Sequence, residues 1–476
     1  MAHVAGQSRY QIALMAPALD DLVSGDDVVR VIDAFVETLD LRALGFARVE
    51  AEATGRPPYA PGDLLKLYIY GYMNQMRSSR RLEREAGRNV EVMWLIDRVQ
   101  PSFKTIADFG KDHADAIIQT CRAFILFCRR QSLMAGEAVA IDGTKIAAAA
   151  SIKKVITPKK LAERLAAVEG KIKEHLAAMD EADRRDGTEP ADRVDVAEAL
   201  KALEARRATI QDQARRLKED GLTQRVAGEP EARLMRTARD GLQVAYNAQM
   251  AVDDKHKLIA AFDLTNECND ERQLLPMASQ TKETLGVAAL TVVADVGYSN
   301  GEQASQCAEA GITAIAPRPE TVNPKGEQFF TRDAFVYDAP SDAYRCPAGQ
   351  TLTCGKVSRT EQRKEYWTKA CKACSLKAQC TSADRRSIVR SFHEDSRQAM
   401  HERAAADPKW MRLRRCLAEH PFGTMKWMMG RPRFLVRGLK KAGSEWALGV
   451  LGYNIKRTIQ ILGPNRLIEA LKACPA

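Results

Sequence analysis

No apolar run in this sequence reaches the ~18 residues that a bilayer-spanning helix needs. The longest candidate, WALGVLGYNI (446–455), is too short and contains polar residues, so no membrane partner is expected. The opening residues MAHVAGQSRYQ lack the basic-then-apolar pattern of a secretory signal. A cytoplasmic protein is expected. A clean CxxC…CxxC is also absent. The eleven cysteines are odd in number, and six of them (Cys121, Cys128, Cys268, Cys307, Cys416, Cys474) are scattered. Scattering of that kind fits reduced core thiols rather than a disulfide framework.

What is present is basic charge. Seventy-two Lys and Arg face 62 acids, for a net charge of +10 and an isoelectric point near 9.0. Such an excess favours a polyanionic partner, because phosphates neutralised by Lys and Arg release counterions. It does not by itself name DNA. Apolar content of 45% with 28% charged residues is ordinary for a globular chain, and 476 residues suggest two to four domains or one domain with large insertions.

Three stretches carry the chemistry. AVAIDGTK (138–145) and LTVVADVGYSN (290–300) each run a β-branched apolar segment into one aspartate, Asp142 and Asp295, and then a glycine turn. Each acid is expected to emerge at a strand's end. The third stretch is RCLAEHPFGTMKWMMG (415–430), which read as a helix after Pro408 puts Arg415, Glu419 and Lys426 on one face. A solvated ion-pair row is the plain reading of such a helix. Two strand-end aspartates plus a late helical glutamate are instead what a two-metal nuclease needs. They supply hard oxygen ligands for Mg²⁺ ions that clamp the attacking and leaving oxygens of a phosphodiester.

DGTKI, DVGYSN and the Arg415-x3-Glu419-x6-Lys426 row resemble the three acidic motifs of insertion-sequence transposases of the DDE class. In that family the third motif is usually led by a tyrosine three residues before the arginine; Arg412 stands there in this chain. The resemblance implies a mixed α/β protein with a ribonuclease-H-like catalytic core. Asp142, Asp295 and Glu419 would be catalytic and would hold two Mg²⁺ ions, with Mn²⁺ as an alternative. Arg415 and Lys426 would hold flanking phosphates. The implied partner is double-stranded DNA, both the element's terminal repeats and the target, bound by a homodimer. Other readings are a ribonuclease-H-like nuclease that only cuts and a decayed, non-catalytic DNA-binding protein.

Residues 1–135 read as an all-helical domain, with DDVVRVIDAFVETLDL (26–41) and APGDLLKLYIYGYMNQM (60–76) at helical apolar spacing. Its short helices look like a helix-turn-helix DNA reader, with Arg77, Arg80, Arg81, Arg84 and Arg88 as the phosphate-contacting face. The catalytic domain begins at 136–317, with a charged helical hairpin inserted at 158–221 and broken by RDGTEPADR (185–193). The hairpin is expected to be a spacer or a dimerisation arm. Strands at 242–253, 257–266, 289–295 and 312–317 alternate with helices at 271–286 and 300–311, an order that fits a ribonuclease-H-like sheet. Residues 318–410 form a Cys-containing insertion and possess basic stretches suited to a DNA-contacting flap. Its cysteines suggest a structural zinc site from Cys371, Cys374 and Cys380 with one of Cys346 and Cys354, or from both pairs; reduced structural thiols and redox chemistry are the alternatives. Residues 411–476 return to the catalytic domain, with 445–462 as a helix under the active site. Rival acids are Asp263, Asp270 (as a helix cap) and Glu445 at a helix start.

Overall fold

The structure is a computed structural model that describes residues 17–50, 57–184, 190–237, 241–319 and 329–474. The MAHVAGQSRYQ stretch and the first residues of the 185–193 break lie outside the described residues.

The N-terminal region is helical: α1 (Val28–Glu37), α2 (Pro61–Met73), α3 (Ser79–Ala86), α4 (Val90–Leu95), α5 (Phe103–Asp112) and α6 (Ala114–Arg130). Local chemistry sets their starts. Asp27 caps α1 by accepting from the Val29 N–H, and Pro61 occupies the first turn of α2, where its missing N–H costs nothing.

Then come β1 (Ala138–Ala147), β2 (Val155–Ile156), and the two arm helices α7 (Pro158–Arg184) and α8 (Pro190–Glu219). The two arm helices pack on each other as a hairpin, and they have a small core of their own that includes Leu161, Val168, Ile172, Ile210 and Leu217. It is clipped at the base by β3 (Arg225–Val226), which pairs with β2.

The main sheet is completed by β4 (Arg233–Thr237), β5 (Gly241–Asp253) and β6 (Ile259–Thr265), then α9 (Leu274–Leu285), β7 (Leu290–Val293), α10 (Gly301–Glu309) and β8 (Ile312–Ile315). Its order is β4-β5-β1-β7-β8, with β6 also on β5. β5 runs antiparallel to β1, β4 and β6, while β7 is parallel to both β1 and β8. The chain is thus mixed α/β, and the expected strands and helices of 242–317 are all found.

The 318–410 insertion holds a second sheet that the sequence pattern does not announce: β9 (Val336–Asp338), β10 (Ala343–Arg345), β11 (Thr351–Ser358), β12 (Arg363–Trp367) and, after the short α11 (Lys377–Cys380), β13 (Ile388–Ser391). Every pairing in it is antiparallel. The chain closes with α12 (Glu394–Ala406), α13 (Lys409–Met429), α14 (Leu439–Leu462) and α15 (Pro464–Ala473).

One hydrophobic core runs from Val23 to Leu471 and joins the N-terminal helices to the main sheet. At its centre is α14, buried along most of its length and packed on α6, α2 and β6. The expected boundary near residue 135 is therefore no break in packing. Among the described residues no helix is long and apolar enough to cross a membrane.

Candidate active site

Parallel pairing of β1 with β7 sets Ala140 opposite Val293. Two residues beyond this pair, Asp142 continues along β1 and Asp295 follows the end of β7. Both touch one cation: Arg414 Nη2 lies 2.8 Å from Asp142 Oδ2 and 3.5 Å from Asp295 Oδ2. Arg414 comes from α13, whose first turn is anchored where Trp410 and Met411 pack on Val293 and Ile315.

Asp295 stands as expected at a strand end, where its Oδ1 accepts from the Gly297 N–H at 2.8 Å. Asp142 differs. The strand continues through it, and Gly143 pairs with Gln249 of β5 rather than turning. Glycine is needed there because a Cβ would strike the Gln249 amide and sit 2.9 Å from Asp270 Oδ1. Burial pushes the Asp142 carboxyl up to about 6. Arg414 opposes that rise, the Asp295 charge adds to it, and the Gly143 N–H opposes it.

Asp270 does not cap α9, as its position suggested. Its carboxylate accepts from Lys145 Nζ (3.1 Å), Asn247 Nδ2 (2.7 Å) and Gln249 Nε2 (2.7 Å). Gln249 in turn accepts from the buried Tyr298 hydroxyl. Lys145 faces Asn247 across the β1–β5 pair, so these groups share one face of the sheet. The network ties β1, β5 and the segment after β7 together around the two aspartates. Its signal was legible: Asn247 and Gln249 are polar at a spacing of two within an otherwise apolar strand.

Glu445 is also explained by its surroundings. It is buried, receives Arg77 Nη1 at 2.9 Å and accepts the Leu435 N–H at 2.8 Å. That is the environment of a structural carboxylate, and it removes Arg77 from the expected DNA-facing set. Arg77 also donates to the carbonyls of Met429, Arg431 and Arg433, and its side chain is 7% exposed. It is out of reach of a phosphate. Arg80, Arg81 and Arg84 are exposed on α3, with Arg80 lying over the Phe103 ring. Arg88 is exposed and pairs with Glu85.

The third motif is helical as expected. Glu419 is exposed on α13, and among the described residues no ion pair joins it to Arg415, whose Nε instead reaches the Met411 carbonyl at 3.4 Å. Lys426 lies over the Phe422 ring. The Arg415–Glu419 pair of the row is thus not formed among the described residues. Nor is Glu419 gathered with the aspartates: among the described residues no group of three or more His, Cys, Asp or Glu is set to hold a metal. Just beyond it, Pro421 stands inside the helix and leaves the Leu417 carbonyl without its helical donor.

Two segments match known families. Residues 17–112 match one described as "Transposase domain (DUF772)", and residues 345–459 match one described as "Transposase DDE domain". The chain is a DDE-class DNA transposase. The second match contains α13 and with it Arg415, Glu419 and Lys426, whereas Asp142 and Asp295 lie between the two matched segments. No curated protein matches the transposase. Among solved structures, a piggyBac transposase synaptic complex with hairpin DNA, seen by cryo-EM, is similar over 94% of this chain and 79% of that one. Its sequence identity is 8% and its TM-score 0.34, a likeness too distant to carry an argument.

Proposed function

We propose that this transposase cuts and joins DNA at a divalent-metal site built on Asp142 and Asp295, completed by Glu419 when α13 engages DNA. The observation that carries the reading is the shared guanidinium: two carboxylates on adjacent parallel strands converge on one positive charge. Arg414 stands where a cation would. Its own Nε is buried without a hydrogen-bond partner, so it is incompletely anchored there. The donor set, all carboxylate oxygen, suits Mg²⁺. Bound there, Mg²⁺ ions would supply Lewis-acid activation of the attacking hydroxyl and charge neutralisation at the leaving oxygen.

The chain's own groups do the rest. Asp142 and Asp295 fix the ion position, and the Lys145–Asp270–Gln249–Tyr298 network keeps their strands from shifting. Arg414 leaves the pair and becomes available for a phosphate. The interruption at Pro421 gives α13 a place to bend as Glu419 approaches. The sheet order supports a ribonuclease-H-like core, and a homodimer on the element's ends completes the proposal.

Asp295→Asn and Glu419→Gln should each abolish metal-dependent cleavage and strand transfer on the element's own ends while DNA binding persists. Full cleavage by Glu419→Gln, with none by Asp270→Asn, would reassign the third acid. On α3, replacing Arg80, Arg81 and Arg84 together by Ala should flatten the dependence of log affinity on log salt by roughly 0.9 for each phosphate no longer neutralised. An unchanged slope would remove α3 from the DNA interface.

A further inference from the structure

The insertion's sheet is too small to explain its own order. Its core is five buried side chains, Phe335, Tyr344, Leu352, Tyr366 and Ile388, and between β12 and β13 the chain makes a long excursion with only short turns of helix. Small sheets of this kind need a staple.

Four cysteines are placed to supply one. Cys346 follows β10 in a tight turn, where its carbonyl accepts the Gly349 N–H at 2.8 Å and its own N–H reaches the Gln350 carbonyl at 3.0 Å. Cys371 lies in the helical turn Lys369–Ala373, Cys374 caps that turn, and Cys380 ends α11. All four line a single cavity of about 20 Å³, together with Leu352 and Arg386. None is in a disulfide. Cys354 lies on β11, where its Sγ points to the Lys356 carbonyl at 3.8 Å, and it is not among the residues lining the cavity.

A second observation concerns charge. Arg386 at the same cavity has a buried Nε with no hydrogen-bond partner, while its Nη2 reaches the Phe330 carbonyl at 3.4 Å. An unpartnered guanidinium N–H beside four thiols is a donor in wait of an anionic acceptor.

We propose that Cys346, Cys371, Cys374 and Cys380 bind one structural zinc ion in this cavity. Four sulfur donors in a tetrahedron select zinc among the common divalent ions. As they stand the thiols are not at ligating separation, since no metal-holding group of three or more such residues is found among the described residues. Loading therefore turns the thiols inward about their χ1 bonds. Four S–H bonds break and release four protons, four Zn–S bonds form, and nothing is oxidised. The resulting centre carries two negative charges, which the Arg386 Nε–H then meets. The zinc ties the turn after β10 to the excursion after β12. It is independent of the acidic site.

The test uses the full chain purified without chelator. Elemental analysis should find one zinc per chain. Cys371→Ser and Cys374→Ser should each bring the content far below one, and Cys354→Ser should leave it unchanged. Where a Cys→Ser variant fails to fold, wild-type protein exchanged with Co²⁺ decides: the intense absorption of a tetrahedral tetrathiolate centre is expected. Zinc near zero in reduced, folded protein, a content insensitive to the Cys371 and Cys374 changes, or a Co²⁺ spectrum without thiolate bands would each overturn the proposal. These readouts do not involve DNA cleavage, so they stand apart from the outcome at the acidic site.

Discussion

Asp142→Asn is expected to make the metal-free protein more stable at pH 7 while eliminating its metal-dependent cleavage. The carboxyl is held at about 6 against a usual 3.8, chiefly by burial and with the Arg414 attraction already counted. Two effects of the substitution compete. Losing the charge relieves a desolvation cost, and losing it also deprives Arg414 of its nearer partner. The upward direction shows that burial wins, and a shift of that size corresponds to at most about 3 kcal/mol. A gain of about 1–3 kcal/mol is expected from denaturant unfolding.

The sign with pH follows. The folded state holds this proton more tightly than the unfolded chain does, so the favourable contribution of Asp142 is complete below about pH 4. It is lost as pH rises through about 6. The variant's advantage should therefore be full at pH 7.5 and close as pH falls towards 4. Added Mg²⁺ should cancel most or all of that advantage, since an ion at 100 times its dissociation constant stabilises only the wild type, by about 2.7 kcal/mol. If the variant proves less stable than wild type in chelator at pH 7.5, Asp142 is not a charge waiting for a cation. Stability surrendered for a function is what a metal-site carboxylate predicts.

How much of this was legible in the sequence depended on range. The hairpin arm could be read because Leu161, Leu165, Val168 and Ile172 keep one helical seam over a long stretch, and the main strands because their apolar runs end in turns. The pairing of Asp142 with Asp295 followed from two matching strand contexts. The second sheet was hidden, since β9 and β11 are largely exposed and β12 is mostly half-buried, so the three strands offer little alternation to detect. Arg414 was passed over in favour of Arg415 beside it. On the helix alone nothing distinguishes them, and only the packing of Trp410 and Met411 on β7 and β8 turns Arg414 towards the aspartates. Asp270 resembled a helix cap because its partners, Lys145, Asn247 and Gln249, lie on strands well before it.

Arg77 is the largest departure, and its substitution the second large effect. In sequence it heads an arginine-rich stretch and reads as one more phosphate ligand. In the fold it is a staple between the segment after α2 and the end of α13, the 431–433 segment and α14, with Glu445 at 2.9 Å and three backbone carbonyls as acceptors. Burial raises the Glu445 carboxyl and Arg77 is the main influence holding it down. Arg77→Ala would leave that carboxylate buried without its cation and strand the carbonyls, a loss of about 3–5 kcal/mol. Glu445→Gln in the same background should return part of that loss, because the amide carries no charge to desolvate, and a double-mutant cycle would show the coupling. The loss should also shrink as pH falls, since a raised Glu445 pKa makes the folded state the stronger proton binder and favours it in acid. An arginine that only held a surface phosphate would behave in the opposite way: stability within about 0.5 kcal/mol of wild type and a salt slope shallower by roughly 0.9. Thermal unfolding of Arg77→Ala and one salt titration of its DNA binding therefore separate the two roles, and wild-type stability with a reduced slope would return Arg77 to the DNA-facing set.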